Sequence, residues 1–187
     1  MTKRVFDIVL ALLAGVILLL PMAILALAVR LTSPGPSIYW SQRVGVDGKL
    51  FAMPKFRSMR ADTPTLATHL LTQPDQFLTP IGRALRSTSL DELPQLWPIL
   101  KGEMSFVGPR PALFNQDDLI AGRRAAGVLG LRPGLTGWAQ INGRDEISIA
   151  DKVALDAEYA RRRSLAFDVK ILMMTAAKVL ERSNVAH

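Results

Sequence analysis

Asp91 and Glu92 stand side by side in Arg86-Ser-Thr-Ser-Leu-Asp-Glu-Leu-Pro-Gln-Leu96, and Arg110 follows in Val107-Gly-Pro-Arg-Pro111. An ionised, oriented carboxylate can attack a phosphorus centre, and a second one beside it can help to hold Mg²⁺ on phosphate oxygens. Arginines suit the same task, because a guanidinium offers a planar fork of donors to phosphate. Arg86 precedes the acidic pair, Arg110 is wedged between two prolines, and Arg144 follows the turn Asn142-Gly143. Lys55 opens a further basic cluster, Lys55-Phe-Arg-Ser-Met-Arg60. Prolines on both sides of Arg110 fix a short stretch of backbone, and a stiff mount favours a phosphate clamp.

A helix cap would also explain the acidic pair. Ser89-Leu-Asp-Glu92 fits a capping box, in which Glu92 bonds back to the helix start. Pro94 argues for a different boundary. With Ser89 as N-cap, Pro94 takes the fifth helical position and loses a hydrogen bond; with Asp91 as N-cap it takes the third and loses none. The sequence therefore predicts a helix from about Asp91 to Leu100, capped by Asp91 itself and kinked at Pro98. The positive helix end would keep Asp91 ionised. Lys101-Gly102 reads as the C-cap.

The elements that must position these residues begin with a membrane segment. Ile8 to Val29 carries no charge, and roughly 20 apolar residues suffice to span a bilayer. Pro21 lies inside it and deprives the carbonyl of Ile17 of its helical partner. Lys3 and Arg4 precede the segment and Arg30 closes it, so basic residues flank both ends. A spanning helix and a re-entrant helix bent at Pro21 both accommodate these facts. A cleaved signal peptide does not, because the apolar run exceeds the usual length of about 7–15 residues.

Thr32-Ser-Pro-Gly-Pro36 ends this segment. Residues 37–43 and 49–55 read as two strands joined by an Asp47-Gly48 hairpin turn. Residues 61–79 read as a surface loop or a short irregular helix, 80–87 as a short helix or turn, 102–111 as a loop, and 115–127 as a helix. Arg132-Pro-Gly-Leu-Thr-Gly-Trp-Ala-Gln-Ile-Asn-Gly-Arg144 reads as a glycine-rich connector. Two helices complete the chain, over 147–162 and 165–180, the second either packing on the core or lying on lipid. Arg123, Arg124 and Arg161 to Arg163 read as a solvated face.

The chain has 187 residues, 23 Lys plus Arg against 16 Asp plus Glu, and no cysteine. Disulfides and thiolate zinc sites are thereby excluded. Basicity favours anionic partners. The arginines are scattered rather than gathered on one helix, which speaks against nucleic acid. Neither His69 nor His187 has companions at metal-ligand spacing, and no Walker or dinucleotide glycine pattern occurs. A non-catalytic anchored protein that docks its basic face on acidic lipid or nucleic acid is the competing reading.

The motifs Lys55-Phe-Arg-Ser-Met59, Arg86 to Leu96, Lys101-Gly-Glu-Met-Ser-Phe-Val-Gly-Pro-Arg-Pro111 and Arg132 to Arg144 resemble the bacterial sugar transferase family, the monotopic phosphoglycosyl transferases. The resemblance covers essentially the whole chain. It implies an α+β, mainly helical fold: residues 1–31 as a re-entrant anchor broken near Pro21, and 32–187 as a cytoplasmic catalytic domain with a short β-hairpin and interfacial helices. It implies transfer of a sugar 1-phosphate from a UDP-sugar to undecaprenyl phosphate, at the inner membrane of a bacterium and with Mg²⁺. Asp91 would be the nucleophile and Glu92 its metal-binding or acceptor-assisting partner. Arg110, Arg86, Arg144 and Lys55 would bind phosphate. The sequence departs from the family pattern at Leu20, where members often carry serine, and at Pro98, where asparagine is common.

Overall fold

The computed structural model of the chain describes residues 2–64, 73–143 and 147–185. Over these residues the fold is mostly helical, with two small two-stranded sheets. Helix α1, Thr2–Thr32, is long and apolar enough to cross a membrane. It continues as one α-helix through Pro21, so the proline does not divide it into two segments as expected. A proline removes one backbone hydrogen bond, and the bonds on either side hold the element together.

Two sides of α1 have different fates. Ala11, Ala14, Leu18, Met22, Leu25 and Val29 recur at steps of three and four and pack on the rest of the chain. Val9, Val16, Leu20, Ile24, Leu27 and Leu31 remain exposed. Both ends are pinned to the same body. Lys3 Nζ meets Asp168 Oδ2 at 2.6 Å, and Asp7 Oδ1 accepts from Ser105 Oγ at 3.0 Å and the Phe106 N–H at 3.2 Å. Arg4 donates to the carbonyls of Ile99 and Leu100. At the other end Ser37 Oγ donates to the carbonyl of Ala26 at 2.7 Å.

Strands β1, Ile38–Val44, and β2, Leu50–Phe56, form the expected antiparallel hairpin, with Val44 opposite Leu50 and Ile38 opposite Phe56. Asp47 and Gly48 both take positive φ, 55° and 81°, as the tightest hairpin turn requires. Helix α2, Gly82–Ser87, leads into a 3₁₀ turn, Leu90–Gln95, and then α3, Leu96–Lys101. Asp91 is therefore not an N-cap. Ser89 stands at the boundary in the left-handed region, φ 59°, without a side-chain cap, and Pro94 lies within the 3₁₀ turn. Pro98 becomes the third residue of α3, where no intrahelical N–H is needed, so it does not kink the helix. Gly102, φ 88°, ends α3 as expected.

Two stretches expected to be loops contain strands. Strand β3, Ser105–Val107, pairs in parallel with β4, Gly134–Thr136. Three-residue strands show no alternation to read, and their glycines suggest turns. Those glycines permit contact instead: a Cβ on Gly134 would lie 2.1 Å from the Gly108 nitrogen. Helix α5, Trp138–Ile141, occupies the rest of the supposed connector.

Helix α4, Asp117–Ala125, packs on α6, Ile149–Arg162. Arg123, expected on a solvated face, is buried and binds Asp156 through Nε at 2.8 Å and Nη2 at 2.6 Å. Helix α7, Leu165–Val185, buries Phe167, Asp168 and Ile171 while Leu165, Val169 and Met173 stay exposed. Tyr159 links α6 to β3 and α7, its one O–H donating to Asp168 Oδ1 at 2.7 Å with the Val107 carbonyl 3.1 Å away.

Candidate active site

Four segments converge on one cavity of about 340 Å³, whose lining includes Lys55, Arg86, Asp91, Glu92 and Arg110. Strand β2 presents Lys55, α2 presents Arg86, and the 3₁₀ turn presents the acidic pair. Arg110 comes from the loop after β3. Of the residues predicted for the site, these five come together. Arg144 lies outside the described residues, and Pro21 belongs to α1 rather than to the cavity lining.

The two carboxylates are held differently. Glu92 Oε1 is shared by Lys55 Nζ at 2.7 Å and Arg110 Nη2 at 2.9 Å. Burial alone would raise its pKa, but Arg110 and Lys55 outweigh it and hold Glu92 well below the usual carboxylate range. Burial lowers the Lys55 ammonium from its usual value, with Glu92 opposing that shift. Asp91 is 8% exposed and makes no direct ion pair among the described residues. Burial raises its pKa, and the fields of Lys55, Arg86 and Arg110 pull against that rise. Glu92 is thus a fixed counter-charge, and Asp91 a desolvated carboxylate with an uncommitted face.

Arg43 is a site residue that residue type and spacing do not single out. It lines the same cavity from β1, held by Ser41 Oγ at 3.0 Å and the Pro111 carbonyl at 3.2 Å. Burial, then Arg110, lower its pKa to about 10, which leaves it cationic at neutral pH. The hairpin pattern places Arg43 on a strand, but nothing local aims it at Arg110. Arg57, grouped with Lys55 in the sequence, serves another purpose. It is buried and donates to the carbonyls of Ser33, Pro34 and Gly35, clamping the exit from α1 to β2. Arg60 pairs with Asp62 on the surface. Arg123 supports the site from behind by donating to the Arg110 carbonyl at 2.7 Å.

Asp91 and Glu92 offer carboxylate oxygens to a divalent cation, and no group of three or more acidic or histidine residues gathers among the described residues. This donor set fits Mg²⁺ that reaches the site on phosphate oxygens and keeps several waters. Six basic residues, Arg43, Lys55, Arg57, Arg60, Arg86 and Arg110, line the cavity with two carboxylates, a balance that suits a polyanion such as a diphosphate.

The sequence pattern of the family described as bacterial sugar transferase matches residues 1–182. The chain belongs to that family. It is 43% identical over 185 residues to a UDP-glucose:undecaprenyl-phosphate glucose-1-phosphate transferase of Escherichia coli K12. The match covers 94% of the chain and 39% of that protein, so the chain spans about two fifths of that relative's length. A Caulobacter vibrioides protein of the same name is 38% identical over 97% of the chain and 71% of its own length. The uncharacterized sugar transferase EpsL of Bacillus subtilis is 41% identical over 95% of the chain and 87% of its own length.

Proposed function

We propose that the chain transfers a hexose 1-phosphate from a UDP-sugar to undecaprenyl phosphate and releases UMP. Two supports carry this reading: the names of the E. coli and C. vibrioides relatives, and the desolvated Asp91 facing a cavity of cations. The diphosphate of the UDP-sugar would lie among Lys55, Arg43, Arg86 and Arg110. An Asp91 oxygen attacks the β-phosphorus, and the bond from that phosphorus to the bridging oxygen breaks. UMP leaves with the electron pair, and the sugar phosphate stays on Asp91 as an acyl phosphate. A phosphate oxygen of the polyprenyl acceptor then attacks the same phosphorus, the bond to Asp91 breaks, and the carboxylate is restored. No proton need be gained or lost in either step.

Glu92 holds Lys55 and Arg110 in register for both displacements, and Arg123 fixes the backbone that carries Arg110. Burial strengthens each of these attractions by excluding water. Bound Mg²⁺ would offset the charge on the departing phosphate oxygens, with Asp91 and Glu92 as its protein ligands.

The acceptor is a lipid, which gives a reason for the exposed apolar side of α1. In this reading α1 bends at Pro21 without being divided there, so that residues 1–31 enter the inner membrane and return to the cytoplasmic face, and 32–187 rest on that face. Pinning of both ends of α1 on one body supports re-entry. Cysteine labelling at Thr2 from each side of the membrane checks it: reagent access from the cytoplasmic side alone is expected, and periplasmic access excludes re-entry.

The activity is tested with the full chain in lipid nanodiscs, UDP-glucose or UDP-galactose, and undecaprenyl phosphate. UMP release that depends on the acceptor is expected. Asp91→Asn should lower it by at least about a thousandfold, the scale on which essential nucleophiles act. Undiminished release in that variant removes Asp91 as the nucleophile.

A further inference from the structure

A second cavity, of about 330 Å³, opens on the other side of the Glu92–Arg110 pair. Both residues line both cavities. From that polar end the second cavity runs between α7, α5, β4 and the 3₁₀ turn, walled by Leu93, Leu96, Leu135, Ile141, Leu172 and Val179. Most of its polar groups are engaged within the protein: Thr136 and Thr175 share a hydrogen bond of 2.7 Å, and Lys178 donates to the Ile141 carbonyl, while the buried Gln140 Oε1 has no partner among the described residues. Gln140 donates to the Leu135 carbonyl at 3.0 Å. The chemistry is therefore that of an apolar channel with a cation at its inner end.

Its walls adjoin the membrane helix. Leu93 belongs to the cluster that packs on Met22 and Leu25, and Leu96, Ile141 and Leu172 to the cluster that packs on Leu10, Ala14 and Leu18. Along α7, Leu165, Val169 and Met173 repeat every four residues and stay exposed, so one ridge of this helix is apolar and uncovered. The apolar wall of the cavity and the packed side of α1 thus belong to the same two clusters, which puts the cavity within the part of the fold that α1 covers.

We infer that this channel holds the first isoprenoid units of the polyprenyl phosphate acceptor, with its phosphate delivered to the Arg110 side of Asp91. The inference rests on the transferase reading above and adds to it where the second substrate enters. Donor and acceptor then use separate cavities that meet at Glu92 and Arg110, so a sugar phosphate parked on Asp91 lies within reach of both. The same guanidinium would bind the donor diphosphate first and the acceptor phosphate afterwards.

A polyprenyl phosphate carrying a diazirine on its second isoprene unit tests the assignment on the full chain in nanodiscs. Label is expected on the tryptic peptide 171–178 of α7, displaced by undecaprenyl phosphate and unaffected by excess phosphatidylglycerol. Label confined to α1, or displaced equally by phosphatidylglycerol, overturns the channel in favour of general lipid contact. Ala176→Trp fills the channel from an exposed helix position. It should raise the KM for undecaprenyl phosphate about tenfold or more and leave the KM for the UDP-sugar within about twofold. Equal change in both constants, or in neither, overturns the assignment. Absence of UMP release in the unsubstituted protein instead refutes the transferase reading, while the labelling pattern still decides the channel.

Discussion

The two adjacent carboxylates divide their work by environment. Glu92 is ionised because two cations share one of its oxygens, whereas Asp91 sits buried without a direct partner among the described residues. Their amide variants should therefore differ in stability in opposite senses. Asp91→Asn removes a charge that burial disfavours, so the melting temperature should hold or rise. Glu92→Gln strands the Lys55 and Arg110 charges. Breaking a buried pair costs about 3–5 kcal/mol, and a figure near 2 kcal/mol is expected here because Arg110 is 31% exposed. Thermal unfolding should register this as a drop of about 4–8 °C. A larger drop for Asp91→Asn than for Glu92→Gln contradicts this division.

Residue types and spacing alone make much of the site legible. Type and setting single out Asp91, Glu92 and Arg110, the family resemblance adds Lys55 and Arg86, and all five line one cavity. Arg43, Arg57 and Arg123 are not separable in the same way, because a buried arginine and a solvated one look alike in sequence. What distinguishes them is a partner far along the chain: Pro111 for Arg43, Ser33 for Arg57, Asp156 for Arg123.

At the scale of elements, propensity and periodicity located the hairpin, its Asp47-Gly48 turn, the end of α3 at Gly102, and helices α6 and α7. They failed at the β3–β4 pair and at the start of the acidic turn. Pro94 and Ser89 adopt a locally costly arrangement, and the packing of this turn against β2, which buries Pro94, sustains it. The β3–β4 pair depends on bare backbone contact. Gly134→Ala places a methyl group 2.1 Å from the Gly108 nitrogen and 2.3 Å from the Thr136 carbonyl oxygen. The strands must part, at a cost of about 3 kcal/mol or more. Arg110 follows Gly108 closely, so activity should fall beyond what the loss of folded protein explains. A variant with normal stability and activity would show that the parallel pair tolerates separation.

Across the whole molecule, a mostly buried polar line ties α1 to the rest of the chain. Lys3 meets Asp168, Asp168 accepts from Tyr159, and Tyr159 reaches the Val107 carbonyl of β3. Burial, reinforced by the bond to Asp168, raises the Tyr159 phenol above its usual pKa of about 10. Below about pH 10 the phenol is protonated in folded and unfolded chains alike, and its stabilisation is complete. Above that pH the unfolded chain releases the proton first, so stability falls as pH climbs toward the folded value. Unfolding curves for the unsubstituted protein and Tyr159→Phe should converge between about pH 10 and 11. Curves that stay parallel would exclude this linkage.

The sequence by itself determined which chemistry was available: an apolar segment for lipid, a carboxylate pair for phosphorus and metal, and cations for phosphate. Such information is local, because residue type and short spacing set charge, hydropathy and turn geometry. Only the tertiary structure decided which arginines face the cavity, which carboxylate is committed to cations, and that α1 is fastened at both ends. Those outcomes depend on burial and on partners distant in sequence, which exist only once the chain has packed.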